Sequence, residues 1–133
     1  MILVDTSVWI DFFTNKKTPQ VSCLVEAINT HQDLCINGVI LTEILQGIKH
    51  PREYDEVAHL LESLIYIEMP KSVFLLSAEI YRHLKSRGIT VRKTIDCIIA
   101  AAAITHNVLL LHNDKDFNPI EKYCGLNIYH PFN

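Results

Sequence analysis

Carboxylate side chains are the groups of this chain best placed to do chemistry, because several of them directly follow short apolar segments. The five candidates are Asp5, Glu43, Asp96, Asp114 and Asp116. Two negative charges about 5 Å apart repel by roughly 3 kcal/mol at an effective dielectric constant near 20. A divalent cation removes that repulsion, and Mg²⁺ and Mn²⁺ both prefer carboxylate and water ligands. Such an ion could activate water for hydrolysis of a phosphodiester.

Two short apolar segments would position three of these acids. Asp5 follows the segment 2–4, and Asp114 and Asp116 come just after the segment 108–111. Both segments are typical of buried strands in a parallel sheet. Because ligands bind beyond the carboxyl ends of parallel strands, we expect the three acids at one edge of the sheet.

Two predicted helices would bring the remaining acids. Asp96 lies in the first turn of an apolar helix over 94–106, where the positive end of the helix dipole favours a negative charge. Glu43 lies on the border of the apolar stripe of a helix over 39–48. If the five acids converge, they form an oxygen-rich metal site.

Each acid also has an ordinary structural interpretation. Asp5 could cap the following helix, and the segment 114–116 could form an Asx turn. Asp96 could interact with the helix dipole behind a cap at Thr94, and Glu43 could be a solvated helix charge. Their placement on one predicted edge is what favours a shared site.

Basic residues accumulate directly before Asp96. No acid lies between Ile80 and Ile95, and this stretch holds five of the twelve Lys and Arg residues: Arg82, Lys85, Arg87, Arg92 and Lys93. Beside a metal site, such a stripe can hold a nucleic-acid backbone. We expect Arg92 and Lys93 to contact phosphate, with Arg87 and Lys85 as further RNA-binding candidates. A solvated helix face is the alternative.

Short apolar strands alternate with helices along the chain, which predicts an α/β fold. We expect a three-layer α/β/α domain over residues 1–133, with a central parallel sheet of 4–5 strands. The predicted strands are 2–4, 34–36, 64–67, 108–111 and an edge strand at 126–128. The predicted helices are 8–13, 19–30, 39–48, 51–63, 72–86 and 94–106, and 112–119 is expected to be a polar loop.

Composition favours a soluble, cytoplasmic protein. The net charge is −3, so a nucleic-acid partner needs a local basic patch. No apolar run is long enough for a membrane span, and the start of the chain lacks the pattern of a signal peptide. The four cysteines are dispersed, and we expect free thiols in the core and no zinc site: Cys23, Cys35, Cys97 and Cys124.

Four ordered segments together resemble the PIN-domain family, and most of all its VapC-type toxins. They are Met1–Ser7 (MILVDTS), Thr42–Gly47 (TEILQG), Arg92–Ala101 (RKTIDCIIAA) and Leu110–Phe117 (LLHNDKDF). The resemblance runs nearly from end to end. It implies a PIN-like fold and an Mg²⁺- or Mn²⁺-dependent endoribonuclease that cleaves tRNA, rRNA or mRNA.

The resemblance also implies roles for individual residues and partners. Carried over by motif, the metal ligands and catalytic acids are Asp5, Glu43, Asp96 and Asp114, with Asp116 close by. Which of the last two acids is the main ligand stays open, and Thr6 or Ser7 would supply a hydroxyl group. The implied partners are an RNA substrate, a cognate antitoxin and a second copy of the chain. Exposed apolar surface on the helical segments 52–66 and 72–84 could serve such contacts.

Three other functions are compatible with parts of the sequence. A non-catalytic RNA- or protein-binding PIN module would not need the full set of acids that is present. A structure-specific DNA nuclease of related fold usually needs additional elements, for which 133 residues leave little room. A receiver-like phosphoacceptor needs paired acids after its first strand, where this chain has Thr6 and Ser7.

Overall fold

Four short parallel strands form the centre of the molecule. The computed structural model describes residues 1–131. The strands are β1 (Ile2–Val4), β2 (Leu34–Ile36), β3 (Ile65–Tyr66) and β4 (Leu109–Leu111). They are ordered β3-β2-β1-β4, and every neighbouring pair is parallel. This confirms the predicted fold class. At the expected edge strand 126–128, only a single bridge forms, between Ile128 and Leu110.

Seven α-helices flank this sheet within residues 1–131. They are α1 (Thr6–Phe13), α2 (Pro19–Asn29), α3 (Gly38–Gln46), α4 (Pro51–Glu62), α5 (Lys71–Ser86), α6 (Thr94–Thr105) and α7 (Asn118–Cys124). The prediction of a polar loop over 112–119 is confirmed at 112–114 and was wrong from Lys115 onward. A 3-10 helix (Lys115–Phe117) leads directly into α7. Pro119 is compatible with this because the first turn of a helix does not need its N–H group, and Ile120 anchors the turn in the core.

Helix α6 is buried on nearly all sides, which explains its lack of an amphipathic pattern. Ala100, Ala101, Ala102 and Ala103 are all fully buried, and the helix contacts α5, α3 and β4. Small side chains allow these elements to approach closely. The buried helix therefore fixes Asp96, which lies in its first turn, in a rigid position.

The cysteines divide into two groups rather than all lying in the core. Cys35 and Cys97 are buried, whereas Cys23 and Cys124 are only partly buried. Burial raises the pKa of Cys35 and Cys97 to about 11, so both stay protonated thiols at neutral pH. In the described part of the chain, no helix is both long and apolar enough to cross a membrane.

The strand order brings two distant parts of the sequence together. β1 and β4 are neighbours, with Val4 paired to Leu111. The backbone N–H of Asp5 continues this pairing by donating to the carbonyl of Leu111 at 2.9 Å. Asp5 and the segment that follows β4 therefore lie side by side at the carboxyl edge of the sheet, as the sequence predicts.

Candidate metal centre

Three carboxylates form a compact group at this edge. Asp96, Asp114 and Asp116 each offer an oxygen atom, and these atoms all lie within 4.8 Å of one another. Asp96 comes from the first turn of α6 and is only 4% exposed. Asp114 and Asp116 come from the segment after β4 and are half-buried. The fold thus assembles the group from two separate elements.

Asp5 lies beside this group and is tied to its own helix. It is the N-cap of α1, and its Oδ2 accepts hydrogen bonds from the Ser7 backbone N–H at 3.0 Å and from the Ser7 hydroxyl at 2.6 Å. Burial raises the pKa of Asp5, the two bonds from Ser7 oppose that rise, and the charge of Asp114 adds to it. Asp5 is therefore both a cap, as its ordinary interpretation holds, and a charge near the acidic group.

Asp96 lies in an environment that disfavours the charged form of its carboxyl group. Its pKa is raised to about 6, because burial disfavours the charged carboxylate. Lys93 lowers the pKa, while the charges of Asp114 and Asp5 raise it further. The buried Oδ2 atom of Asp96 has no hydrogen-bond partner in the described chain, and the Lys93 ammonium lies 3.7 Å from it.

The pKa of Asp114 is lowered overall, in contrast to that of Asp96. Burial on its own would raise its pKa, but the Asp116 backbone N–H and the Lys93 ammonium donate to its carboxylate and hold the pKa below its usual value. The Asp114 carboxylate is therefore charged at neutral pH. Its Oδ1 atom also caps the N-terminus of the 3-10 helix that contains Asp116.

Arg92 and Lys93 act as counter-ions of the acids. The Arg92 guanidinium donates to both oxygens of Asp116, at 3.0 and 3.2 Å. The Lys93 ammonium lies 3.1 Å from Asp114 Oδ2, and this hydrogen bond raises the pKa of Lys93. Both residues are expected to contact phosphate, and the structure pairs each of them with acids of the group.

The other two RNA-binding candidates lie farther along the basic stretch. Lys85 lies in the last turn of α5, with its ammonium 5.9 Å from the centre of the Tyr81 ring. Arg87 is the C-cap of the same helix and lies over the ring of Tyr123. Neither of them forms an ion pair within residues 1–131.

Glu43 lies outside the group of three acids. Its Oε1 atom accepts a hydrogen bond from the Thr6 hydroxyl at 2.8 Å, and its side chain is half-buried. It also lines a cavity of about 340 Å³ together with apolar side chains such as Ile10 and Ile44. The structure therefore connects Glu43 to the site through Thr6, the residue next to Asp5.

Sequence reasoning missed two residues that organise the site. The Asn113 backbone N–H donates to the Ser7 hydroxyl oxygen at 3.1 Å, and its side-chain amide donates to Asp11 at 3.2 Å. His112 accepts a hydrogen bond from the Asp114 backbone N–H at 3.1 Å, and burial lowers its pKa. In the sequence, only their position between a predicted strand and two acids could have indicated that they belong to the site.

The donor set fits a hard divalent cation. Three carboxylates from rigid elements converge, and one buried oxygen among them has no hydrogen bond. An unpartnered buried polar atom costs about 1–3 kcal/mol, and more when it is charged, so it marks a place where a ligand is expected. Mg²⁺ and Mn²⁺ match the oxygen-only chemistry of these groups.

Known proteins resemble this chain along nearly its whole length. The family model described as PIN domain matches residues 2–123. VapC ribonuclease Mb1587 of Mycobacterium bovis is 32% identical over 130 residues, which cover 95% of this chain and 96% of that protein. Ribonuclease VapC1 of Methanocaldococcus jannaschii is 31% identical over 132 residues, which cover 96% of this chain and 86% of that protein.

Solved structures share the fold at lower sequence identity. VapBC2 from Rickettsia felis, bound to a DNA fragment from its promoter, superimposes with a TM-score of 0.76 at 18% identity, and the match covers 97% of this chain and 98% of that one. VapBC-1 from nontypeable Haemophilus influenzae gives a TM-score of 0.76 at 20% identity with full coverage of both chains. The sheet and helices described above thus occur together in other proteins.

Proposed function

The chain belongs to the PIN-domain family, and we propose that it is a metal-dependent endoribonuclease that acts as the toxin of a toxin–antitoxin pair. The observation that carries this proposal is the buried, unpartnered Asp96 oxygen within a group of three carboxylates. Relatives that are 31–32% identical over almost the entire chain are named ribonucleases, which supports RNA as the substrate.

Asp96, Asp114 and Asp116 would form the core of the metal site, with Asp5 beside them. Glu43 would act from the edge of the site, through its hydrogen bond with Thr6. When bound, Mg²⁺ or Mn²⁺ supplies positive charge that lowers the pKa of water and offsets the charge developing on a phosphodiester. Ser7 holds the Asp5 carboxylate in one orientation through two hydrogen bonds.

Arg92 and Lys93 have a double role in this proposal. In the metal-free chain they offset part of the negative charge of the three carboxylates. Their side chains are 71% and 57% exposed, so both cations can also contact a phosphate group of the substrate. Substrate phosphate and carboxylate therefore share the same two cations.

A cognate antitoxin is the proposed protein partner. The similar solved structures include a toxin–antitoxin complex from Klebsiella pneumoniae. This chain exposes apolar side chains on the two helices where partner contacts were expected. They are Tyr54 and Leu60 on α4, and Phe74 and Leu75 on α5. Exposed apolar surface of this kind supports binding of an antitoxin or of a second copy of the chain.

RNA cleavage by the purified chain, freed of any antitoxin, tests the proposal. Mixed tRNA, rRNA and mRNA are incubated with Mg²⁺ or Mn²⁺, and parallel samples contain EDTA. We expect cleavage only with metal, and a loss of at least about 100-fold in Asp96→Asn. Equal cleavage in EDTA, or full activity of Asp96→Asn, would contradict the assigned site. A chain that binds RNA and metal but never cuts would be a binding module.

A further inference from the structure

Two cations from different helices converge on one aromatic ring. Arg87, the C-cap of α5, has its guanidinium carbon 4.2 Å from the centre of the Tyr123 ring. Lys122, on α7, has its ammonium nitrogen 5.2 Å from the same point. Both distances lie within the ~6 Å range of cation–π contacts. We call these three residues the basic–aromatic cluster.

The positive charge of this cluster is uncompensated. Neither Arg87 nor Lys122 forms an ion pair within residues 1–131. The neighbouring acid, Glu121, instead contacts His130 at 2.9 Å. A hydrogen bond from Lys122, together with the charges of Lys122 and Arg87, lowers the pKa of the Tyr123 hydroxyl. Two like charges against one ring repel each other, and a bound anion would relieve that repulsion.

Because it lacks ion pairs with acids, the cluster differs from Arg92 and Lys93 in the metal centre. Arg92 and Lys93 already neutralise carboxylates, so a phosphate must compete with these acids for them. In the described chain no carboxylate pairs with Arg87 or Lys122, so a phosphate would not have to compete with an acid for them. Of these two pairs of cations, the pair in the basic–aromatic cluster is therefore the more available to a substrate.

A groove borders the metal centre. It has a volume of about 360 Å³ and lies between the loop 89–92 and the segment 115–119, with Asp116 and Arg92 among its lining residues. Helix α7 continues from Pro119, which lines this groove, to Tyr123, four residues and about 6 Å farther along at 1.5 Å per residue.

We propose that Arg87, Lys122 and Tyr123 form a binding subsite for single-stranded RNA, next to the site of cleavage. A base stacks on the aromatic ring and its guanidinium, and an adjacent phosphate contacts the Lys122 ammonium. The strand must be single because stacking requires a base that has left its duplex. This inference rests on the proposed ribonuclease function, since it assigns the substrate strand of that same enzyme.

Binding of a fluorescently labelled single-stranded RNA of about 12 nucleotides tests the subsite by anisotropy. EDTA is present throughout, so cleavage cannot affect the signal. We expect Tyr123→Ala to weaken binding roughly tenfold. Arg87→Ala and Lys122→Ala should each weaken it about threefold to tenfold. Lys122→Ala should also reduce the slope of log affinity against log salt concentration by about 0.7, because it removes a phosphate contact.

Two variants serve as matched controls. Tyr123→Phe keeps the stacking surface and should bind within about twofold of wild type. Lys71→Ala removes a cation at the opposite end of the same helix α5 and should leave binding unchanged. Thermal unfolding of every variant identifies any that fail to fold, and Arg87→Gln then replaces Arg87→Ala as the test of lost charge.

Several outcomes would overturn the subsite. They are undetectable binding of the single strand by wild type, equal binding by Tyr123→Ala, equal affinity for a duplex of the same sequence, and displacement of the RNA by a poly-glutamate peptide. Failure of the ribonuclease proposal has a different signature, which is an absence of metal-dependent cleavage while binding in EDTA persists. In active enzyme, Tyr123→Ala should raise KM and leave kcat unchanged.

Discussion

The carboxyl edge of the sheet has two halves, and the carboxylates in them have different surroundings. In one half, beside β4 and α6, three carboxylates crowd together and a buried oxygen of Asp96 has no hydrogen bond. In the other half, on α3, the single carboxylate of Glu43 accepts a hydrogen bond from Thr6. Both halves contain acids predicted to bind metal, but only the first is left with unsatisfied charge.

From this difference we expect the three carboxylates of the first half to need a cation more than Glu43 does. Arg92 and Lys93 offset part of the charge in the crowded half, yet the pKa of Asp96 remains raised to about 6. A group held in an unfavourable environment by a rigid helix is typical of a functional site. Glu43 lies outside the group of three carboxylates, and we therefore expect it to matter less than Asp116.

The largest expected effect is on RNA cleavage. Asp116→Asn should lower the rate at least about 100-fold, because it removes an oxygen ligand from the crowded half. Glu43→Gln should lower it no more than about tenfold, because it keeps the hydrogen bond to Thr6. Initial rates at saturating Mn²⁺ measure both. The reverse order would show that the α3 half carries the reaction.

A second expected effect concerns stability without metal. At neutral pH, Asp96→Asn should raise the free energy of unfolding by about 1–3 kcal/mol, because it removes a buried charge with a raised pKa. Asp114→Asn should lower it by about 1 kcal/mol, because the Asp114 pKa is lowered by groups that favour its charge. Urea unfolding in EDTA measures both values. Destabilisation by both substitutions would mean that the Asp96 charge is well satisfied.

The stabilisation by Asp96→Asn should also depend on pH. Between pH 4 and 6 the folded chain keeps a proton on Asp96 that the unfolded chain releases, so this group contributes less stability as the pH rises. The gap between Asp96→Asn and wild type should therefore be largest above about pH 6.5 and shrink towards pH 4.5. Urea midpoints across that range measure the gap. A gap independent of pH would contradict the raised pKa.

The smallest expected effect concerns Thr6. Thr6→Val keeps the shape of a buried side chain but removes the hydrogen bond to Glu43, which should cost about 1 kcal/mol of stability. Affinity for Mn²⁺ should change less than about threefold. Thr30→Val is a matched control, because its hydroxyl bonds only to a carbonyl of its own helix. A loss of Mn²⁺ affinity above tenfold would place Glu43 among the ligands.

Much of the fold could be predicted because the strands are short apolar runs that end at distinctive residues. The segment 2–4 and the helix at 94–105 matched their predictions closely. Helix α7 was missed because Asn118 and Pro119 are also typical of loops, and only the burial of Ile120 shows why they start a helix. An edge strand at 126–128 was expected from the residues of that segment. The structure has only a single bridge there, and the residue types alone do not show how many bridges form.

The site was less predictable, because its balance of charge depends on side-chain contacts. The parallel-sheet rule correctly brought Asp5 near the acids that follow β4. It could not show that Arg92 would turn towards Asp116 rather than towards solvent, since adjacent residues do not reveal their partners. The same limit applies to Tyr123, which lies far in sequence from Arg87 and contacts it only in the folded chain.

Calorimetric titration of Mn²⁺ into the metal-free chain tests the central claim most directly. Wild type, Asp96→Asn and Glu43→Gln are measured side by side at neutral pH. We expect that wild type binds Mn²⁺, that Glu43→Gln binds within about fivefold of wild type, and that Asp96→Asn gives no detectable binding. Wild-type affinity in Asp96→Asn, or loss of binding only in Glu43→Gln, would contradict this claim.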